Sequence, residues 1–251
     1  MNLTDRLAEG KTKVVYAHPR DPALAVLMHK DGITAGDGAR RSVIAGKGAL
    51  AGRTTANVFA LLARSGIPTH FVEAPEPTLT VVRRCAMIPL EVVTRRLATG
   101  SYLKRNPEVA EGQRFEPPLV EFFLKDDARH DPLIAPEAIA ADGIATQEEV
   151  GRMAELARQT FAALERAWAS LDITLVDLKI ECGRLAHGAL VVADVIDNDS
   201  WRIWPGGDKA RMLDKQVYRN AQQVDDAVLD EVRRRYEAVA ELTERFAGAP
   251  L

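Results

Sequence analysis

Apolar and polar positions alternate with a period of two through much of the first hundred residues, the spacing of half-buried strands. Strands are expected over residues 11–16, 24–29, 70–73 and 79–84, with a turn at Asp31-Gly32. One stretch departs from that period. From about residue 48 to 64, Leu50, Val58, Leu61 and Leu62 recur at helical spacing, and Ser65-Gly66-Ile67-Pro68 stops the helix. Residues 87–90 read as a strand containing Pro89, which suggests a sheet edge or a crossing, so a lobe boundary is placed there, giving 1–86 and 87–251. Residues 91–97 continue as strand until Ala98-Thr99-Gly100-Ser101 breaks it, and 106–142, dense in proline and charge, read as a long loop.

In the second half the pattern turns helical twice. Thr146-Gln147-Glu148-Glu149 is a capping box, and the helix it opens runs to about Ser170 with Val150, Met153, Ala157, Phe161, Leu164 and Trp168 on one face. A second amphipathic helix, about 225 to 246, carries Val228, Val232, Tyr236 and Val239 in phase. Both are expected to be purely structural. Between them, residues 175–181 alternate, with Val176, Leu178 and Ile180 on one face and Asp177, Lys179 and Glu181 on the other. Read as a two-residue turn, His187-Gly188 folds the apolar run 190–193 back as a hairpin and sets Glu181 opposite Asp194. The fold class this predicts is α+β with antiparallel sheets.

Composition narrows the function classes. Of 251 residues, 47% are hydrophobic and 27% charged, enough apolar surface for a core and too much for a disordered chain. There is no run of about 20 apolar residues, and the N-terminus carries acids without an apolar h-region. A membrane span and a signal peptide are therefore not expected, and the expected address is cytoplasmic. The net charge of −3 and a pI near 6.0 argue against nucleic acid as partner. Cys85 and Cys182 form no CxxC pair and read as small buried hydrophobes, not as a disulfide or zinc site.

The candidate chemistry lies in five segments. Glu181 directly across a ladder from Asp194 would need a compensating charge, which a divalent cation held by the two carboxylates and substrate phosphates would supply. The same alternation also fits a solvated strand face with Lys179 as counter-ion. Lys11 and Lys13, after Gly10 on one strand face, could grip phosphates, or be two exposed lysines. Arg95, Arg96 and the Thr99-Gly100-Ser101 helix start could hold a phosphate monoester, or be an ordinary basic turn. Residues 125–132 and 194–205 are dense in charge, the latter with two of the three tryptophans. The glycine-rich stretches at 36–41 and 46–48 fail both the Walker A and the dinucleotide patterns, since Gly48 follows Lys47 and Arg41 stands where a third glycine is needed. No HExxH zinc motif or Gly-x-Ser-x-Gly elbow occurs.

Taken together, residues 10–16, 31–36, 95–101, 123–132, 177–181 and 194–204 resemble the SAICAR synthetase family, in the family's order and across nearly the whole chain. The resemblance implies an ATP-dependent ligase of purine biosynthesis. It joins L-aspartate to the carboxylate of carboxyaminoimidazole ribonucleotide through an acyl phosphate, releasing ADP and phosphate. It also implies two lobes with ATP in the cleft between them, somewhat as in kinases and ATP-grasp enzymes, with 1–86 as the nucleotide lobe. Carried onto this chain, Lys11 and Lys13 would hold ATP phosphates, and the chain from Arg83 past Met87 would meet adenine. Glu181 and Asp194 would hold Mg2+. Arg95, Ser101 and Arg202 would hold the ribonucleotide phosphate. Lys179, Asp177 and Lys125 would be catalytic, with Asp37 and Asp199 beside the reacting groups. The expected partners are small molecules, with no nucleic acid or membrane, and the expected assembly is a homo-oligomer. A phosphotransferase acting on a small hydroxylated acceptor and a non-catalytic nucleotide-binding module remain as other readings.

Overall fold

Two antiparallel sheets divide the chain, and the computed structural model describes residues 1–35 and 40–249. Asp37 lies outside the described residues. The first sheet opens with β1 (Arg6–Glu9), β2 (Lys13–Ala17) and β3 (Leu24–His29). A separate hairpin of β4 (Gly32–Ala35) and β5 (Arg40–Val43) follows, then α1 (Lys47–Arg64). The chain returns through β6 (Phe71–Glu76) and β7 (Leu79–Arg83), and the sheet order is β1-β2-β3-β7-β6. The Asp31 carboxylate accepts the backbone N–H groups of Gly46 and Gly48 at 3.0 and 2.8 Å, so the start of α1 is capped from within the chain. Those two N–H groups are thereby already paired.

The second sheet begins one residue later with β8 (Cys85–Leu97). After the one-turn helix α2 (Ser101–Arg105) come β9 (Arg114–Leu124), β10 (Leu133–Ile134), α3 (Pro136–Ala141) and the long α4 (Gln147–Ala169). Then β11 (Ile173–Leu185), β12 (Leu190–Ala193) and β13 (Trp201–Pro205) complete the sheet, and α5 (Gln216–Asn220) and α6 (Asp226–Glu244) close the fold. The order is β10-β9-β8-β11-β12, with β13 also pairing β11. One face of this sheet packs Ile88, Leu90, Val92, Leu178 and Ile180 against Met153, Phe161 and Leu164 of α4 and Phe59 and Leu62 of α1. The opposite face is polar, the usual division in an antiparallel sheet covered on one side.

Several expectations need correction. The 106–142 stretch is not a loop throughout, because β9 runs 11 residues through it, past Pro117 and Pro118. Pro89 falls where β8 gains its second neighbour, since β9 pairs with it only from Leu90 onward and residues 85–87 pair with β11 alone. It sits inside β8, where the pairing with β11 shifts between Glu181↔Glu91 and Gly183↔Met87, so a bulge accommodates it. Strand β1 and the β4–β5 hairpin were not foreseen from the pattern. Val176 does not share the core face with Leu178 and Ile180; a second bulge between Leu175 and Asp177 puts Leu175 there instead. The capping box and the helix after it are as expected, with Glu149 N–H donating to Thr146 Oγ1 at 3.2 Å.

Candidate active site

Between the two sheets lies a cleft of about 1040 Å³. Lys11, Lys13, Arg83, Met87, Lys125, Lys179, Glu181, Asp194 and Asp199 all line it. The polar face of β8 and β11 supplies one wall. Glu181 stands opposite Glu91 in the register, Lys179 opposite Val93 and Asp177 opposite Arg95. Asp177 and Glu181 are buried, at 5% and 4% exposure, so this is not a solvated strand face.

The hairpin register differs by one residue from the expected one. Glu181 faces Ala193, not Asp194, because the chain turns through Ala186, His187 and Gly188 and closes on Leu185 and Ala189. Gly188 takes a positive φ of 89°, as such a three-residue turn requires. Asp194 lies just past β12 with its own φ at 64°. From there residues 194–200 swing out and return as β13, and Lys179 N–H donates to Ser200 O at 2.7 Å. The excursion carries Asp194, Asp197 and Asp199 to the cleft.

The two carboxylates still share one cleft, each with its own lysine. Lys13 Nζ lies 2.5 Å from Asp194 Oδ1, and Lys125 Nζ lies 2.7 Å from Glu181 Oε2. Lys179 Nζ bridges Glu91 at 2.7 Å and Glu181 at 3.4 Å. Burial alone would raise the Asp194 carboxyl, but Lys13, with Lys179 and Lys125 behind it, holds it down at about 2. Burial works against the Lys179 ammonium as well, yet Glu91 and Glu181 raise it above the ordinary lysine range. Lys13 is raised by Asp194 in the same way, against the cost of burial. Only Lys13 of the amino-terminal lysines is in strand; Lys11 precedes β2. His70 packs behind Asp194, its Nε2 donating to the Asp194 carbonyl at 2.9 Å.

Arg95, Ser101, Arg202 and Asp177 gather in a second cluster, outside the residues lining the main cleft but continuous with it along β11. Arg95 Nη1 donates to Asp177 at 2.8 Å, its Nε to Glu121 at 2.6 Å, and its Nη2 reaches Ser101 Oγ at 3.5 Å. Arg202 also pairs with Asp177. Gly100 makes the cluster possible. Its φ is 59°, and a Cβ there would fall 2.5 Å from the Arg202 guanidinium.

Several charged neighbours were not picked out from the sequence. Glu91, Lys215 and Tyr236 each pair with a predicted site residue; Lys215 Nζ is 2.9 Å from Asp199 Oδ2, and the Tyr236 hydroxyl donates to Asp199 Oδ1. The last helix therefore reaches a residue that lines the cleft. Glu91 was legible as the acid in an otherwise apolar strand; Lys215 and Tyr236 had no signal beyond their type. Arg83 faces the cleft but spends its guanidinium on the Thr69 carbonyl. Cys85 is half-buried and lines the cleft, unlike the fully buried Cys182.

A sequence model of SAICAR synthetase matches residues 6–236. The chain belongs to the SAICAR synthetase family. It is 73% identical, over 99% of both chains, to the phosphoribosylaminoimidazole-succinocarboxamide synthase of Chloroflexus aurantiacus. The crystal structure of the Ehrlichia chaffeensis synthase superposes with a TM-score of 0.87 at 30% identity, covering 96% of this chain and 98% of that one. A type-2 SAICAR synthetase solved in complex with ADP gives a TM-score of 0.81 at 34% identity, covering 92% and 97%. Among the described residues no helix is long and apolar enough to cross a membrane.

Proposed function

We infer that this chain catalyses the reaction of its family. It uses ATP to join L-aspartate to the carboxylate of carboxyaminoimidazole ribonucleotide, giving SAICAR, ADP and phosphate. The observation that carries the reading is the cleft wall on which Lys13, Asp194, Lys125, Glu181 and Lys179 meet as buried or half-buried ion pairs.

A carboxylate is a poor electrophile. Its oxygen attacks the γ-phosphorus of ATP, the bond to the β-phosphate oxygen breaks, and an acyl phosphate and ADP form. The amine of L-aspartate then attacks the acyl carbon, the amide C–N bond forms, phosphate leaves with the bonding pair, and the amine loses its proton. The chain's part is positioning and electrostatics. In this reading Lys11 and Lys13 hold the ATP phosphates, and the chain at Arg83 and Met87 borders adenine. Lys179 and Lys125 face the charge that develops on the transferred group. Arg202 and Ser101 take the ribonucleotide phosphate, with Arg95 and Asp177 fixing the Arg202 fork.

Glu181 and Asp194 are hard oxygen donors on one cleft, which fits Mg2+, a cation that takes one or two carboxylates together with phosphates. Among the described residues no group of three or more acids, histidines or cysteines is placed to hold a metal ion. Bound at Glu181 and Asp194, Mg2+ would neutralise charge on the phosphates.

The amino-terminal sheet with α1 forms the nucleotide lobe in this reading, the rest the substrate lobe. A cytoplasmic address and a homo-oligomeric state are part of the same proposal, checked by fractionation and light scattering. The deciding experiment measures ADP release with ATP, magnesium and carboxyaminoimidazole ribonucleotide, with and without L-aspartate. Aspartate-dependent ADP with an equal amount of the succinocarboxamide product is expected. ADP released only with a hydroxylated acceptor would mean a phosphotransferase, and nucleotide binding without turnover a binding module.

A further inference from the structure

Lys47 is 1% exposed, and its Nζ has no hydrogen-bond partner. It opens α1 and lies over the Tyr236 ring, 4.9 Å from the centroid. A buried ammonium with no acceptor is costly, so its charge must be offset nearby. At the hydroxyl end of Tyr236 stands Asp199, whose carboxylate accepts from that hydroxyl and pairs with Lys215. Asp197, 3% exposed, accepts the Asp199 N–H at 2.8 Å. Both acids line the cleft, as do Lys215 and Arg219.

Around the two carboxylates, Asp197 and Asp199, stand Lys47, Lys215 and, beside Lys215, Arg219. Lys215 is committed to Asp199 by direct contact, which leaves Lys47 as the counter-charge for the second acid. We propose that Lys47 is a positioning residue: without touching substrate, it offsets the mutual repulsion of Asp197 and Asp199 from the face of the Tyr236 ring, so that both carboxylates stay ionised towards the ammonium group of the amino-acid substrate. This rests on the reaction proposed above.

The electrostatics agree. Burial and the neighbouring Asp199 raise the Asp197 carboxyl, and Lys47 and Lys215 oppose the rise. Burial would raise Asp199 too, but Lys215, Lys47 and the Tyr236 hydroxyl hold it below the ordinary carboxylate range. The groups facing the pair are thus Lys47 from α1, Lys215 and Arg219 around α5, and Tyr236 from α6. Across the helix start lies His29, itself kept neutral by burial and by Lys13 and Lys47.

The test compares wild type, Lys47→Met, Lys47→Arg, Asp197→Asn and the double variant Lys47→Met/Asp197→Asn. Wild-type turnover with all three substrates checks the reaction separately, and its absence would overturn that reading first. With turnover present, Lys47→Met should raise the KM for L-aspartate by about tenfold or more while the KM for ATP stays within about twofold. The acid limb of kcat/KM should move to higher pH. Lys47→Arg should keep both near wild type. Adding Asp197→Asn to Lys47→Met should bring the pH limb back towards wild type, because the acid whose charge Lys47 supports no longer titrates. Should Lys47→Met not fold, folding restored in the double variant supports the charge balance. A double variant no better folded than the single one overturns it. A folded Lys47→Met with unchanged pH limb, or with equal losses for ATP and aspartate, also overturns it.

Discussion

At the scale of single residues, the cleft concentrates groups whose ionisation is set by burial and by one neighbour. Asp194 is the strongest case, held down at about 2 by Lys13 against its burial. If Glu181 and Asp194 hold the cation, Glu181→Gln and Asp194→Asn should each lower kcat by about 100-fold or more, with the far-ultraviolet spectrum unchanged. Near-normal turnover in both variants would reject the metal assignment. His29 and His70 make a different prediction, one about stability. Burial lowers both to about 4, His29 further opposed by Lys13 and Lys47. Between the unfolded value near 6.5 and about 4, the unfolded chain binds more protons than the folded one. Stability is therefore complete above the unfolded value and falls as the pH drops through that window, by at most about 3 kcal/mol for each histidine. Asp194 adds a later loss of the acid type: its contribution holds above about 3.8 and disappears as the pH falls through about 2. Urea unfolding at a series of pH values measures this directly. A flat profile from neutral pH to about 4 would mean the histidines are not held neutral in the fold.

At the scale of elements, the turn between β8 and α2 decides whether Arg202 can reach its place. Gly100 lies at φ 59° with the Arg202 guanidinium where a side chain would begin. Gly100→Ala should push Arg202 aside and raise the KM for the ribonucleotide by about tenfold, about 1.4 kcal/mol, with little change for ATP. An unchanged ribonucleotide KM would mean that Arg202 does not hold that substrate. Legibility in the sequence was uneven for physical reasons. The helix after Thr146 was readable because its capping box and its period of 3.6 are local signals. The alternating acids on β11 were readable too, and they did bring Asp177, Lys179 and Glu181 to one face of the sheet. The pairing of Glu181 was not, because a three-residue turn and a two-residue turn read alike around His187-Gly188 while shifting every partner by one. β9 was hidden by Pro117-Pro118, whose effect on a strand depends on which edge it faces. Lys215 and Tyr236 reach Asp199 only through the packing of α6 and the segment before α5. Nothing local to residues 215 or 236 announces that contact.

At the scale of the whole molecule, the first sheet keeps small apolar clusters of its own on β3 and β7, but its helix α1 does not belong to them. The boundary near Arg84 separates β7 from β8, and by sequence α1 falls on the amino-terminal side. Yet Val58, Phe59, Leu61 and Leu62 of α1 are buried in one cluster with Leu90 of β8, Phe161 of α4 and Ile180 of β11. The same helix is tied to the last one: Arg53 pairs with Glu244, Asn57 donates to Thr243 Oγ1 at 3.2 Å, and Arg64 donates to the carbonyls of Phe246 and Ala247. A nucleotide lobe that leaves its only long helix in the other lobe's core cannot keep that helix covered on its own. Residues 1–86 produced alone should therefore expose the apolar face of α1 and show no sharp thermal transition, while the full chain should melt in one transition by calorimetry, with equal calorimetric and van't Hoff enthalpies. ADP with magnesium should raise that single midpoint, since a ligand bound only by the folded state stabilises the whole cooperative unit. Two resolved transitions, only one of them moved by ADP, would show instead that the lobes fold separately. In that case the packing of α1 would be a contact between finished domains, and closure of the cleft would cost little. A single transition means that α1 couples the two cleft walls into one cooperative unit, and that Lys13 on β2 meets Asp194 beyond β12 in a geometry fixed before any substrate arrives.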